Sequence, residues 1–394
     1  MISVSDLWIR LDGLSSPLPS ERITLASAQG RILREPILAP EDQPPFDRSA
    51  IDGYLVHATQ LPGTVTLTGT VSPGSPPPVS APAPSTALRI LTGSALPSNP
   101  DAALIMQEDT TLLSPNQLHL LEAPSTRHIR RRASQARAGD TLLIPGSPLN
   151  AGALALLASI GSTTPLVSRR ARVAHLVTGG ELVSADTTPA SGQIRDSNST
   201  LIASLLRDTH ADLVWQQRVS DSRSATADAL AAALATDADI LLISGGASVG
   251  DHDHTGALLA AQGFTIHCDK VASRPGKPFI AASRDGRLAF GLPGNPLSHF
   301  VCFHLFVRRV LARLAGTEPV ALVRAKLAPR SELRPDPRET WWPCIYADEG
   351  ATRRVLPLPW RDSSDLTVLA TTEGLLRIPS ATTPGAEVEV LPCR

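Results

Sequence analysis

Residues 237–253 read DADILLISGGASVGDHD, and this stretch decides the fold. Residues 237–244 centre on a continuous apolar run, which is typical of a strand that is buried on both faces of a sheet. The run passes directly into residues 245–250, where glycines let the backbone turn sharply and approach a ligand closely. A buried strand that ends in a glycine-rich loop indicates an α/β domain whose ligand site lies at the carboxyl ends of the strands.

The segments on both sides of this stretch alternate between strand and helix patterns. The strand patterns cover residues 172–177, 212–219, 264–271, 279–282 and 288–292, and the helix patterns cover residues 200–208, 225–236 and 296–315. Residues 197–199 are candidates for the cap of the first helix, and Asp285 with Gly286 predicts a hairpin turn. This alternation predicts a parallel sheet with helices on both faces over residues 169–316.

Short β-like segments flank the α/β region. We predict an N-terminal linker and β-rich region over residues 1–168, with a small β domain inserted at about residues 53–125. Residues 317–394 are predicted to form a small C-terminal domain like a β-barrel. The predicted fold class is therefore multidomain, with a central three-layer βαβ domain between β-rich modules.

Three glycine-rich loops follow predicted strands, at residues 178–181, 245–250 and 293–296. The carboxyl ends of parallel strands meet at one edge of a sheet, so the three loops predict a shared anion pocket. Backbone N–H groups and helix N-termini would be its donors. The Walker and G-x-G-x-x-G patterns are absent from the sequence, which argues against an ordinary ATPase or dehydrogenase.

The charged residues around these loops are mixed. The carboxylates are Glu181, Asp251 and Asp253, and the cations are Lys270, Arg274 and Lys277. Carboxylates beside a bound phosphate are costly unless a divalent cation lies between them. We therefore expect Mg²⁺, with Asp251 and Asp253 as its ligands, and a reaction at a phosphate. His252 and His254 are interpreted as capping or solvated residues.

The composition excludes several classes of protein. The 394 residues include 36 basic and 37 acidic ones, which give a formal net charge of -1, so neither nucleic acid nor an anionic membrane is an expected partner. No apolar run approaches the roughly 18 residues of a membrane span, and the N-terminus lacks a signal-peptide pattern. The four cysteines have no metal-finger spacing, so we expect reduced thiols and a cytoplasmic protein.

Five motifs together resemble those of the molybdopterin molybdenumtransferase family, which includes the E domain of gephyrin. They are PPFDRSAIDGY (44–54), RILTGSALP (89–97), GGASVGDHD (245–253), RPGKP (274–278) and GLPGNPLS (291–298). The resemblance covers nearly the whole chain. It implies that adenylylated molybdopterin is bound, that its pyrophosphate link is cleaved with Mg²⁺ and AMP release, and that molybdenum from molybdate enters the dithiolene. The product would pass to molybdoenzymes.

The resemblance also implies a homodimer, with each active site between the βαβ domain of one subunit and the small β domain of the other. Asp52 and Thr92 would come from the small β domain. The other catalytic residues would be Glu181, Asp221, Asp253, Lys270 and Lys277. The substrate-binding residues would be Gly245, Gly246, Ser248, Gly250, Arg274, Pro278, Pro293, Gly294, Asn295 and Ser298. Arg274, Lys277 and Pro278 would form an electrostatic cradle for molybdate, which Ser363 or Ser364 would complete.

The sequence departs from the family pattern at several charged positions. Gly180 replaces the acid of T-G-D-E-L, residues 133–135 replace G-E-D, Arg274 replaces a lysine, and Pro343 stands where an anion-binding arginine is usual. Each missing charge removes about 1 to 3 kcal/mol of electrostatic stabilisation in a partly buried site. An alternative therefore stays open, namely a catalytically degenerate paralogue that carries molybdopterin. The related adenylyltransferase is disfavoured because it does not need the long β modules.

Overall fold

The computed structural model describes residues 1–246, 254–328, 333, 336–347, 353–380 and 387–393. The chain divides into two compact units. The large unit consists of residues 1–34, 146–154 and 164–394, and the small unit consists of residues 35–145 and 155–163. Within the described residues, no helix combines the length and apolar character that crossing a bilayer requires.

A six-stranded sheet lies at the centre of the large unit. Its strand order is Ala211–Val219, Ala171–Thr178, Ile240–Ser244, Arg287–Leu292, Pro278–Arg284 and Thr265–Lys270. The first four strands are parallel, as the alternating pattern predicts. The fifth strand is antiparallel to both neighbours, so the sheet is mixed rather than wholly parallel. The cause is the turn at Asp285 and Gly286, whose positive φ values of 50° and 79° suit a tight hairpin.

Helices cover both faces of this sheet. They are Val4–Leu14, Asn198–Arg207, Arg223–Leu234, Thr255–Ala261, and a long run of Pro296–Cys302, the π-helical Phe303–Val307 and Arg308–Ala315. Ile202 packs with Val173 on one face, and Leu230 packs with Ala174 on the other. Successive residues of one strand thus enter opposite core clusters, which explains its nearly continuous apolar sequence. Gly316 ends the long run in the left-handed region, with φ of 74°.

A closed barrel of five strands follows the α/β part. Its strands, in order around the barrel, are Glu339–Tyr346, Arg354–Pro357, Val323–Leu327, Glu387–Pro392 and Gly374–Ile378, and the last pairs with the first. Cys344, Val355 and Leu376 are buried in its core. The short strand Ser273–Arg274 of the α/β part pairs in parallel with Glu339–Tyr346. The predicted fold class, a three-layer α/β domain with β-rich flanks and a C-terminal barrel, is confirmed.

The small unit contains a second six-stranded sheet. Its strand order is Ala102–Met106, Gly53–His57, Thr86–Ile90, Gly63–Val71, Gln117–Leu120 and Thr110–Ser114. Tyr54 and Val56 face one core cluster of this sheet, and Leu55 faces the other, with the period of two that strands impose. Residues 72–84 form no strand, in keeping with their prolines.

Short elements complete the described structure. The helix Ala151–Ser159 and the 3₁₀ turns Leu25–Ser27, Gln107–Asp109 and Val368–Ala370 lie outside the sheets. The two-stranded pairings are Ser20–Arg22 with Leu166–Ser168, Ile37–Leu38 with Thr141–Leu143, Arg48–Ser49 with Ile129–Arg130, and Leu182–Val183 with Ile194–Arg195.

Gly53 is required by the close approach of two strands in the small unit. A Cβ atom at this position would overlap the backbone carbonyl oxygen of Ile105. Gly53→Ala should therefore lower the free energy of unfolding of the small unit by about 2 to 4 kcal/mol, measured by urea denaturation. The control is Gly69→Ala, because the nearest atom there is Leu88 Cδ2 at 3.4 Å. Equal effects of the two substitutions would contradict this account.

Candidate active site

A cavity of about 930 Å³ opens at the carboxyl ends of the parallel strands in the large unit. Residues from the three glycine-rich loops line it, together with the 274–278 loop and residues 360–364 of the C-terminal part. Backbone groups and charged side chains from distant parts of the sequence thus face one space.

The structure brings most of the predicted site residues to this cavity. Those in its lining are Glu181, Asp221, Gly245, Gly246, Arg274, Lys277, Pro278, Pro293, Gly294, Asn295, Ser298, Ser363 and Ser364. Ser248, Gly250, Asp251 and Asp253 lie outside the described residues. Asp52 and Thr92 belong to the small unit.

Lys270 is not among the described residues that line the cavity, and its role at the site stays a prediction. It is the last residue of Thr265–Lys270, the strand at the edge of the central sheet, and it pairs with Pro278. Its backbone oxygen accepts a hydrogen bond from the Ile2 N–H at 3.1 Å. Of the two lysines near the RPGKP motif, the structure therefore places only Lys277 in the cavity wall.

Two carboxylates lie beside the turn of Gly179 and Gly180. A Cβ on Gly179 would be 2.9 Å from Glu181 Oε2, and a Cβ on Gly180 would be 3.3 Å from Asp221 Oδ1. A larger residue at position 180 would crowd Asp221, and an acidic one would add like-charge repulsion. Glu181 and Asp221 are oxygen ligands of the kind that Mg²⁺ takes together with substrate phosphates. The described residues contain no cluster of three or more His, Cys, Asp or Glu residues suited to a metal.

Asp196 caps the helix that begins behind this turn. Its carboxylate accepts the Ser199 backbone N–H at 3.0 Å and the Ser199 hydroxyl at 2.5 Å. Ser197 occupies the N-cap position but its side chain makes no capping bond. The prediction that side chains of residues 197–199 supply the cap is therefore wrong, because the Asp196 carboxylate accepts the free Ser199 N–H instead.

Four cations line the part of the cavity next to the barrel: Arg274, Lys277, Arg338 and Arg361. The Asp336 carboxylate binds two of them, with contacts of 3.1 Å from Arg274 and 3.0 Å from Arg338. Burial alone would raise the pKa of Asp336, but the two guanidinium groups outweigh it and hold that pKa below its usual value. Lys277 and Arg361 have no ion-pair partner among the described residues, so they carry the positive charge that a bound anion would meet.

Three structural features fix the loop that carries Lys277. The Ser273 hydroxyl donates to the Pro275 carbonyl at 2.8 Å. Gly276 has φ of 103°, and a Cβ there would be 2.6 Å from Cys302 Sγ, so the loop needs glycine at this position. On its other side, the Arg274 guanidinium lies 5.5 Å from the centroid of the Trp360 ring. The loop is thus packed against Cys302 at Gly276 and against Trp360 at Arg274.

The barrel contributes a second wall of the cavity. Asn295 Nδ2 donates to Ser363 Oγ at 2.7 Å, and the Leu297 N–H donates to the Ser363 carbonyl at 3.1 Å. Pro343 is buried in the barrel strand Glu339–Tyr346 and is not in the cavity lining. Arg338 and Arg361, which the sequence analysis did not single out, supply the cations of this wall.

Asp52 and Thr92 meet in the small unit. Asp52 Oδ1 accepts hydrogen bonds from the Thr92 backbone N–H at 2.6 Å and from the Thr92 hydroxyl at 2.9 Å. The backbone bond first, and the hydroxyl bond second, lower the pKa of Asp52. Asp52 is therefore ionised at neutral pH and held in one orientation.

Comparison with known protein families covers almost the whole chain. Residues 2–161 match the MoeA N-terminal region (domain I and II). Residues 174–313 match a probable molybdopterin binding domain, and residues 326–393 match the MoeA C-terminal region (domain IV).

Individual relatives agree with these family matches. The molybdopterin molybdenumtransferase of Nostoc sp. is 34% identical over 398 residues, covering 96% of this chain and 90% of the relative. The Haemophilus influenzae protein of the same name is 36% identical over 309 residues, covering 78% and 76%. A solved structure of the molybdopterin biosynthesis MoeA protein from Pyrococcus horikoshii is 25% identical, covers 100% of this chain and 99% of that chain, and superimposes with a TM-score of 0.80.

The contact between Asp52 and Thr92 can be tested by titration of the Asp52 carboxyl group. Thr92→Val removes the hydroxyl donor to the ionised carboxylate, so the pKa of Asp52 should rise toward its ordinary value. A carboxylate acts only above its pKa, so any activity that depends on Asp52 should begin to fall at a higher pH in the variant and be unchanged at neutral pH. Carbon-13 NMR of the Asp52 carboxyl from about pH 2 to pH 7 measures the shift. Asp52→Asn identifies the signal, and superimposable curves would contradict the assignment.

Proposed function

The chain belongs to the MoeA family of molybdopterin molybdenumtransferases, and we propose that it inserts molybdenum from molybdate into adenylylated molybdopterin. In this reaction the pyrophosphate link is cleaved with Mg²⁺, AMP is released and molybdenum cofactor is formed. The observation that carries the proposal is the division of charge in the cavity. Glu181 and Asp221 lie at the turn of Gly179 and Gly180, and Lys277 and Arg361, which form no salt bridge with any described residue, lie near the barrel.

The carboxylate part of the cavity suits the pyrophosphate end of the substrate. Glu181 and Asp221 would hold Mg²⁺, and phosphate oxygens would complete its coordination. When bound, Mg²⁺ neutralises charge on the phosphates and polarises the phosphorus centre. The Gly245 N–H already donates to the Leu292 carbonyl at 3.2 Å, so the Gly246 N–H at this strand end would be the donor to a phosphate oxygen. Asp251 and Asp253 stay part of the proposal as further Mg²⁺ ligands.

The cationic part of the cavity suits the oxyanion. Lys277 and Arg361 would bind molybdate, because neither forms a salt bridge with a described carboxylate, although the neighbouring Asp362 partly offsets the charge of Arg361. Arg274 and Arg338 share Asp336, so their role is to shape the wall as much as to add charge. Ser363 accepts from Asn295 and keeps its own hydroxyl proton for donation to the anion.

The proposal includes a cytoplasmic homodimer in which Asp52 and Thr92 of each subunit serve the cavity of the other. A carboxyl group with a lowered pKa is a weak proton acceptor at neutral pH. Asp52 is therefore better suited to hold a cation at the reacting phosphate than to accept a proton. The cofactor would then be passed to molybdoenzymes.

The proposal is tested by single-turnover release of AMP from adenylylated molybdopterin, with Mg²⁺ and with or without molybdate. Molybdate-dependent AMP release together with active cofactor is the expected result. It would also show that the acids missing at Gly180 and at residues 133–135 are dispensable. Tight binding without AMP release would overturn the proposal in favour of a molybdopterin carrier.

The Lys277→Ala substitution distinguishes the binding of molybdate from the binding of molybdopterin. Loss of a charge-assisted hydrogen bond should raise the molybdate concentration for half-maximal rate about tenfold to a hundredfold. The Kd for molybdopterin should change by less than about threefold, since the carboxylate end is untouched. Lys326→Ala is the matched control, because Lys326 lies in the barrel strand Val323–Leu327, outside the cavity lining. Equal losses of molybdate and molybdopterin binding would show that the cation site is misassigned.

A further inference from the structure

Two buried side chains hold consecutive carbonyl groups of the loop that follows the strand Arg287–Leu292. His299 Nδ1 lies 3.2 Å from the Pro293 oxygen, and Asn198 Nδ2 donates to the Gly294 oxygen at 2.7 Å. A carbonyl oxygen can only accept, so the His299 proton is on Nδ1. The two side chains come from different helices, and Pro293, Gly294 and Asn198 all line the cavity.

Each of these side chains leaves its other polar atom without a partner among the described residues. The atoms are His299 Nε2 and Asn198 Oδ1, both buried and both acceptors in this arrangement. An unsatisfied buried acceptor lowers stability relative to an apolar side chain of similar size. A fully buried histidine at position 299 is therefore poorly explained by packing alone, and its one hydrogen bond to the loop is the feature that a leucine would not supply.

A second buried histidine supports the adjacent strand end. Gln216 Nε2 donates to His175 Nδ1 at 2.9 Å, so His175 Nε2 carries the proton and donates to Ser244 Oγ at 2.6 Å. Ser244 lines the cavity, and the rings of His175 and His299 lie 6.3 Å apart. Burial lowers the pKa of both histidines, that of His299 to about 4. Both are neutral at the pH of an ordinary assay, which favours a positioning role over proton transfer.

We propose that His299 is a positioning residue for the oxyanion step, and that with Asn198 it fixes the loop from which Asn295 holds Ser363. The path is continuous: His299 fixes the Pro293 carbonyl, and Asn295 follows two residues later and binds the barrel loop that carries Ser363. A displaced loop would loosen that barrel contact before it affected the carboxylates at Gly179 and Gly180. This inference rests on the proposed function for its kinetic readout only.

The test compares His299→Leu with His299→Asn in the full-length protein. Leucine has a similar volume but no donor, whereas asparagine can place an N–H group where Nδ1 was. We expect His299→Leu to lower kcat/KM for molybdate by about tenfold or more while the thermal midpoint changes little, because removal of the unsatisfied Nε2 acceptor offsets loss of the donor to the Pro293 carbonyl. His299→Asn should recover the rate to within about threefold of the parent, with an unchanged pH profile.

The matched control is His304→Leu. His304 is also buried in the same helical run and also has an unpartnered Nε2, but its contacts are with Arg308 and Phe300 and not with the cavity loop. The kinetic constants of His304→Leu should therefore match those of the parent. A loss in this variant equal to that in His299→Leu would overturn the proposal, because any buried histidine would then have the same effect.

Amide hydrogen exchange gives a readout that does not need activity. The amides of Gly294, Asn295, Leu297 and Ser298 should exchange faster in His299→Leu than in the parent and in His304→Leu. If the parent releases no AMP, the proposed function fails while the exchange experiment still decides the role of His299. Unchanged exchange in His299→Leu would overturn the positioning role, and so would a fall in rate that only tracks a fall in thermal midpoint.

Discussion

The parallel pairing of Ser273–Arg274 with the barrel strand Glu339–Tyr346 determines where the cationic side chains of the cavity lie. It joins the loop that carries Lys277 to the barrel through backbone hydrogen bonds, which are less adjustable than side-chain contacts. Asp336 then lies between Arg274 and Arg338, and Trp360 lies under Arg274. The contact from Asn295 to Ser363 holds a second loop in the same way. The barrel has a core of its own and also contributes Trp341, Leu375 and Leu391 to the core of the α/β part, and the two parts together form one cavity wall.

At Gly180 and Pro343 this sequence lacks a charged residue of the family pattern, and in both cases other charged residues line the same part of the cavity. Gly180 leaves room for Asp221, which approaches the turn from the next strand end. Pro343 is packed inside the barrel, and the cations of that wall come from Arg338 and Arg361. The charge of a site is thus a property of the whole wall, because a neighbouring residue can reach the same space from another loop.

The parts of the fold that local patterns encode could be predicted from the sequence. Continuous apolar runs and alternating helices predicted the four parallel strands, and the glycine-rich loops at their ends predicted the cavity. Contacts between distant segments could not be predicted in this way. Arg338 and Arg361 line the cavity because segments far apart in sequence contact each other. The contact of Arg274 with Asp336 joins residues more than sixty positions apart. Lys270 lies within the RPGKP neighbourhood in sequence, but strand register places it at the sheet edge.

The contacts between the α/β part and the barrel also limit how this chain can be divided into modules. A fragment restricted to residues 169–316 would keep the carboxylate turn and Lys277 but would lose Arg338, Trp360, Arg361 and Ser363. The cationic wall of the cavity is therefore shared across what the sequence presents as a domain boundary. Fusion or exchange of the central domain alone between relatives would transfer the half of the cavity that holds Glu181 and Asp221 and leave the other half behind.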